Sequence, residues 1–293
     1  MIIQSVQEYI SLIEKLKDNY TYEHLILPNS TFGKQIHEPH FIFRGHSNHE
    51  KYSLIPGVFR WKKISEGHLV GEFSQMEHNI LNDFISEACR YISDVPVGDI
   101  SAWLEIAQHF GVPTRLLDFT ENPLVALYFS CAGSPQENAS VWIINEPAYN
   151  KKFFSESALV QTSKSQNAIT QIISQEIIYQ DYQQHVGKVQ YIQWPWIYKP
   201  HHHAERMNLQ SSVFMIWGAN RQPLTAFLTN DDYMVENQPT NSERGIMCHI
   251  DIFAEHKSKL LKQLDLLGIN EKFVYPGIDG VGRYIREKYS SKE

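Results

Sequence analysis

Cysteine is scarce in this chain of 293 residues: Cys89, Cys131 and Cys248 stand far apart and are odd in number. A disulfide framework is not expected in so large a chain, and without a CxxC pair neither is a cysteine-based zinc or redox centre. Apolar neighbours around Cys89 and Cys131 predict buried free thiols. Long hydrophobic runs are missing too. No stretch approaches the ~20 apolar residues that cross a bilayer, and Met1 to Ser5 lack the basic start and apolar run of a signal peptide. A soluble, cytoplasmic protein without a membrane partner is therefore expected. Positive charge is in short supply: 26 Lys and Arg face 33 Asp and Glu, a net charge of −7. That balance disfavours sequence-independent binding to duplex nucleic acid and leaves room for a local basic groove. Also absent are a GxxxxGK[ST] phosphate loop, a GxGxxG turn after a strand, a GxSxG elbow and an HExxH helix, so no metal site is expected.

What the chain does have is 42% hydrophobic residues, 12% aromatics and 14 His. This suits a sizeable core, and the rings serve pockets and ordinary packing alike. Val6, Tyr9, Ile10, Ile13 and Leu16 recur at helical spacing behind Ser5, a predicted N-cap with Glu8 as its capping-box partner. Residues 1–39 are thus read as an N-terminal helical segment. His40 to Gly45 reads as a buried strand ending at Arg44, where a side chain can reach a cleft. A helix is predicted over 72–92, with Glu77, Asn79, Asp83 and Glu87 facing away from its apolar stripe. Another follows, capped by Ser101 and stopped by Gly111. Thr114 to Thr120 reads as a strand, and Asn122-Pro123 opens a further helix. Val141–Ile144 is a core strand. Residues 150–187, rich in Ser, Gln and Lys, read as an insertion, before strand-like runs at 189–192, 213–217 and 246–252. A helix over 254–267 ends at Gly268, ahead of a helical tail. Helices dominate the first half and strands the second, so the class is α+β, a helical first half packed on a mixed or antiparallel sheet.

Polar residues crowd into one apolar stretch: His109, Thr114, Arg115, Asp118, Thr120, Glu121 and Asn122. On an alternating strand Arg115 and Leu117 share one face, while Thr114, Leu116, Asp118 and Thr120 share the other. Asp118 and Thr120 either point together into a site or cap the next helix. Arg115 and Asp118 either serve a site or form structural ion pairs. Glu105 and His109 are spaced for an i,i+4 pair. His46 and His49 flank the Arg44 turn and could join a site there, though they read first as surface-loop residues, and His201-His202-His203 reads as a solvated loop. Arg60-Trp61-Lys62-Lys63 is a short basic cluster that could touch a nucleic acid, read first as a solvated turn.

The sequence resembles the FRG domain family. Phe43-Arg44-Gly45 matches its name motif, followed by Tyr52, Leu54, Pro56 and Arg60. Gln108 to Thr120, Asn122-Pro123 and Ala126-Leu127-Tyr128-Phe129 continue the match. Arg206, Gln210 and Phe214 resemble its Arg…Gln…Phe element, and Gly268-Ile269-Asn270, Tyr275-Pro276 and Asp279-Gly280 its end. The resemblance implies one FRG domain over 40–290 with the insertion inside it, and such domains suit toxin or anti-phage defence roles.

A further resemblance is to ADP-ribosyltransferases, in the order of Arg44-Gly45, the strand to Thr120, the helix with Ala126 and Phe129, and the strand Val141–Ile144. It implies a fold of that kind and NAD as substrate, used by a transferase or an NAD glycohydrolase, with a protein or nucleic-acid target. Arg44 and Gly45 would hold the diphosphate, with His109, Arg115 and Thr120 lining the cofactor cleft. Asp118 and Thr120 would set the nicotinamide ribose, and Glu205 or Gln210 would act on its hydroxyls. Two departures stand out. The middle strand lacks Ser-Thr-Ser, and Gln210 occupies the place of a catalytic Glu, so the acid would come from Glu205 or Asp118. The alternative is a module that binds a nucleotide or nucleic acid without chemistry.

Overall fold

The computed structural model describes residues 1–26, 33–60, 70–154, 194–200, 209–218, 220–237 and 245–290. Helix α1 spans Val6–Tyr20. The Ser5 hydroxyl accepts the Glu8 amide at 3.2 Å, and Glu8 reaches back to the amide of Gln4 at 2.7 Å, one residue earlier than a standard capping box. An antiparallel ribbon follows, β1 (Tyr22–Ile26) and β2 (Gly33–His37), so the N-terminal segment is not helical throughout.

Among the described residues, six strands build the main sheet: β3 (Phe41–His46), β4 (Leu116–Thr120), β5 (Ala139–Asn145), β6 (Trp196–Tyr198), β7 (Ser212–Ile216) and β8 (Met247–Ile252). Their order is β6-β7-β4-β3-β5-β8, antiparallel at every pairing, which settles the α+β class. Three of these strands lie before residue 146, so helices and strands interleave rather than occupy separate halves. The helices are α2 (Val70–Ala88), α3 (Ile100–His109), α4 (Pro123–Cys131), α5 (Glu146–Phe154), α6 (Ala254–Leu266), α7 (Glu271–Val274) and α8 (Ile278–Ser290). Helix α2 ends earlier than its pattern suggested, and Tyr91 beyond it is exposed. Asp99, not Ser101, caps α3. Its carboxylate takes the Ala102 amide at 3.1 Å and the Ser101 hydroxyl at 2.8 Å. Asn122 and Pro123 open α4 as their residue types require. Residues 150–154 are helical, within α5; the rest of the expected insertion and the run at 189–192 lie outside the described residues.

Both faces of the sheet are covered, which is why its strands read as nearly continuous apolar runs. Phe43, Val141, Ile143 and Ile250 pack with α1, α4 and α6, whereas Ile42, Leu117, Trp142 and Met215 pack on the opposite face. A third cluster joins α2 and α3 to Leu116, Phe214 and Ile216. Gly45 is fixed by close approach. A Cβ there would fall 2.1 Å from the Ala126 oxygen and 2.7 Å from the Ser130 nitrogen, so only glycine lets α4 lie against β3.

The sheet has a weak seam at its centre. β3 pairs with β5 through all six of its residues, and β4 with β7 through all five of its own. Between β3 and β4 the register holds a single pair, Phe43 with Thr120.

Candidate functional site

At the seam the backbone ladder stops and a side chain takes over. Arg44 Nη1 donates to the Asp118 carbonyl at 2.5 Å, and its Nε donates to His46 Nε2 at 3.1 Å. Two residues apart on β3, Arg44 and His46 share a face, so this second contact follows from strand geometry. The guanidinium is thereby clamped edge-on, with remaining N–H groups on Nη1 and Nη2 for a ligand. Burial lowers the Arg44 pKa; the Asp118 carboxylate opposes that shift and Arg60 adds to it. The group stays cationic. His46 is buried, contrary to its reading as a surface residue. Burial, then Arg44 and Arg60, push its pKa down to about 3, so it is neutral and its Nε2 accepts from Arg44.

A cavity of about 480 Å³ opens at this seam, within the ~300–1,000 Å³ typical of small-molecule sites. Its lining includes Arg44, Gly45, His46, Tyr52 and Arg60, with Gln108, His109, Asp118 and Thr120, Gln210 and Phe214, and the apolar Ala126 and Phe129 of α4. Two arginines and one carboxylate thus face the same space. Arg44 Nη1 lies 3.8 Å from Asp118 Oδ2, too far for a hydrogen bond and near enough to attract.

Asp118 is half-exposed, and a relay sets its orientation. The Leu116 amide donates to Thr114 Oγ1 at 3.1 Å, and the Thr114 hydroxyl donates to Gln108 Oε1 at 2.7 Å. Gln108 Nε2 in turn donates to Asp118 Oδ2 at 2.7 Å. The relay fixes which way the Gln108 amide points and holds the carboxylate toward the cavity. It also shortens the strand: by capturing the Leu116 amide, Thr114 stays outside β4. Gly111 at φ +78° makes the turn that carries the chain from α3 into this stretch.

The other expected residues divide. Thr120 lines the cavity, and its hydroxyl donates to the Gln210 carbonyl at 2.5 Å. Gln210 donates its amide nitrogen to the Val274 carbonyl at 2.8 Å, which leaves Oε1 as the atom it can offer a ligand. His109 lines the cavity. Arg115 does not. It is 1% exposed and forks onto Glu77, with Nε 2.8 Å from Oε1 and Nη1 donating to the Trp217 carbonyl at 3.0 Å. The cofactor role implied for Arg115 is therefore corrected to an ion pair beneath the site, and Glu77 faces inward rather than away. Glu205, His201-His202-His203 and Arg206 lie outside the described residues, as do Trp61, Lys62 and Lys63.

The sequence reading passed over Gln108 and Arg60 as site residues and preferred a surface loop to a site for His46. Gln108 carried a usable signal, a polar residue in the last turn of an otherwise apolar helix; His46 carried alternation with Arg44.

The family model described as the FRG domain matches residues 39–139. No curated protein and no solved structure matches the chain. The match runs from just before β3 to the first residue of β5 and holds every cavity residue except Gln210, Ser212 and Phe214. Among the described residues, no helix is long and apolar enough to cross a membrane.

Proposed function

The chain carries an FRG domain, and we propose that the cavity at its sheet seam binds a phosphate-bearing nucleotide, NAD in the first instance, and cleaves it at the bond between ribose and nicotinamide. The observation that carries this reading is the clamped Arg44, facing the same space as Arg60 and the Asp118 carboxylate. Two guanidiniums in a partly enclosed cavity call for an anion, and a diphosphate suits their forked donors. Asp118 supplies negative charge where the ribose becomes oxocarbenium-like. The C1′–N bond breaks with its electron pair leaving on nicotinamide. Water or a target nucleophile then bonds to C1′ and releases a proton. Gln210 accepts a ribose hydroxyl through Oε1.

A second reading, binding without turnover, is favoured by one feature: the Thr120 hydroxyl and the Gln210 amide nitrogen are both engaged by backbone carbonyls. Calorimetry with NAD, together with an assay of released nicotinamide, separates the two. The wild type is expected to bind and to release nicotinamide. Arg44→Ala should bind at least tenfold more weakly, and Asp118→Asn should bind but lose most of its turnover. Binding without release would leave the second reading, and no binding at all would remove both.

A further inference from the structure

A second cluster of chemically able side chains lies on the β5–β8 pair. His249 and Asp251 are two apart on β8 and so share a face, with Trp142 of β5 directly opposite His249. His49 arrives from the loop after β3, where its amide donates to the Asn138 carbonyl at 2.8 Å. Its ring stacks on Trp142, centroids 6.3 Å apart and planes at 9°, and the His249 ring tilts against the same indole at 4.8 Å. One indole therefore orients both imidazoles toward one carboxylate.

We propose that His49, His249 and Asp251 bind a divalent transition metal, zinc in the first instance. One ligand atom from each residue lies within 4.8 Å of the other two. His249 Nε2 is 3.4 Å from Asp251 Oδ1, and His49 Nδ1 is 3.8 Å from the same oxygen. Direct hydrogen bonds would sit at about 2.7–3.2 Å. A tetrahedral zinc with bonds of ~2.0–2.1 Å sets its ligand atoms roughly 3.3 Å apart, so the His249–Asp251 spacing already fits and His49 would close in by about half an ångström on the carboxylate. An independent sign is that His49 Nδ1 is itself buried and has no hydrogen-bond partner among the described residues. Two imidazoles with one carboxylate suit zinc, nickel or copper better than calcium or magnesium. The fourth corner falls to water. Because Ser47, Tyr52 and Ser53 of the same loop line the seam cavity, the metal would pin one lip of that cavity to β8. No spacing in the sequence announces the site, since His49 lies two hundred residues before His249 and Asp251.

The test is zinc titration by calorimetry on the full chain, stripped by chelator and free of any affinity tag. His249→Gln and Asp251→Asn are compared with a chain in which His201, His202 and His203 are all Gln, since that tract could take zinc by itself. Both site variants should raise the zinc Kd by at least the ~10–100-fold that losing an outer-shell partner costs, and the triple variant should leave it unchanged. Cobalt substitution should give the intense visible absorption of a tetrahedral centre, lost in Asp251→Asn. Circular dichroism of the metal-free variants checks their folding, and His49→Gln in the loop replaces any that fails. Unchanged zinc affinity in the site variants, or its loss in the triple variant, would overturn the proposal.

Discussion

Protonating His46 would set a third positive charge beside Arg44 and Arg60 in a place water barely reaches. Its pKa is therefore about 3 in the folded protein and about 6.5 in the unfolded chain. Between those values the unfolded chain binds more protons, so stability falls as pH drops from about 6.5 to about 3, by at most ~1.4 kcal/mol per pH unit from this group. His46→Asn keeps an acceptor for Arg44 and removes the titration. Thermal melts from pH 7 down to pH 4 should therefore show the variant losing less stability than the wild type; parallel losses would contradict a neutral imidazole. At this scale Arg44 and Asp118 were legible, because a strand end and strand alternation can be read from neighbouring residues. For Arg115 an ion pair was one of two readings, but its partner was not legible, because Glu77 lies 38 positions earlier on a helix. Local pattern cannot say that two such residues meet.

Among the elements, α4 was the easiest to read and is the most exposed to a single change. Its cap and first-turn proline are written in adjacent residues, but its seating on β3 depends on Gly45. Gly45→Ala would drive a methyl group into the Ala126 carbonyl and the Ser130 amide. The expected loss is roughly 3 kcal/mol, read as a lower midpoint in denaturant titration. Since Val125, Ala126 and Phe129 line the cavity, ligand affinity should fall with it, even though residue 45 itself presents no side chain to a ligand. A variant as stable as the wild type would mean that α4 can shift without strain. The β1–β2 ribbon escaped the sequence reading for a physical reason. Its two runs, YEHLI and GKQIH, carry no apolar alternation, and cross-strand hydrogen bonds hold a ribbon together without leaving a mark on residue choice.

For the whole molecule, the net charge of −7 means that any anion must be captured locally, and on the proposed reading the seam arginines would do so against the general field. The strands on the two sides of the seam, β6-β7-β4 and β3-β5-β8, are interleaved along the chain. Calorimetry should consequently show one unfolding transition whose calorimetric and van't Hoff enthalpies agree; two resolved transitions would mean that the sides unfold separately. From β3 to β4, back to β5, over to β6 and β7 and back again to β8, the chain laces across the gap four times. A laced edge can gape but cannot part. A cut between α5 and β6 would leave β3, β4 and β5 on one piece and β6, β7 and β8 on the other. Each piece would hold strands from both sides of the seam, and neither would hold a whole side. Arg44 and Asp118 would stay together on the first piece, and Gln210 would leave with the second, so two separately made fragments would have to re-lace before the cavity was complete.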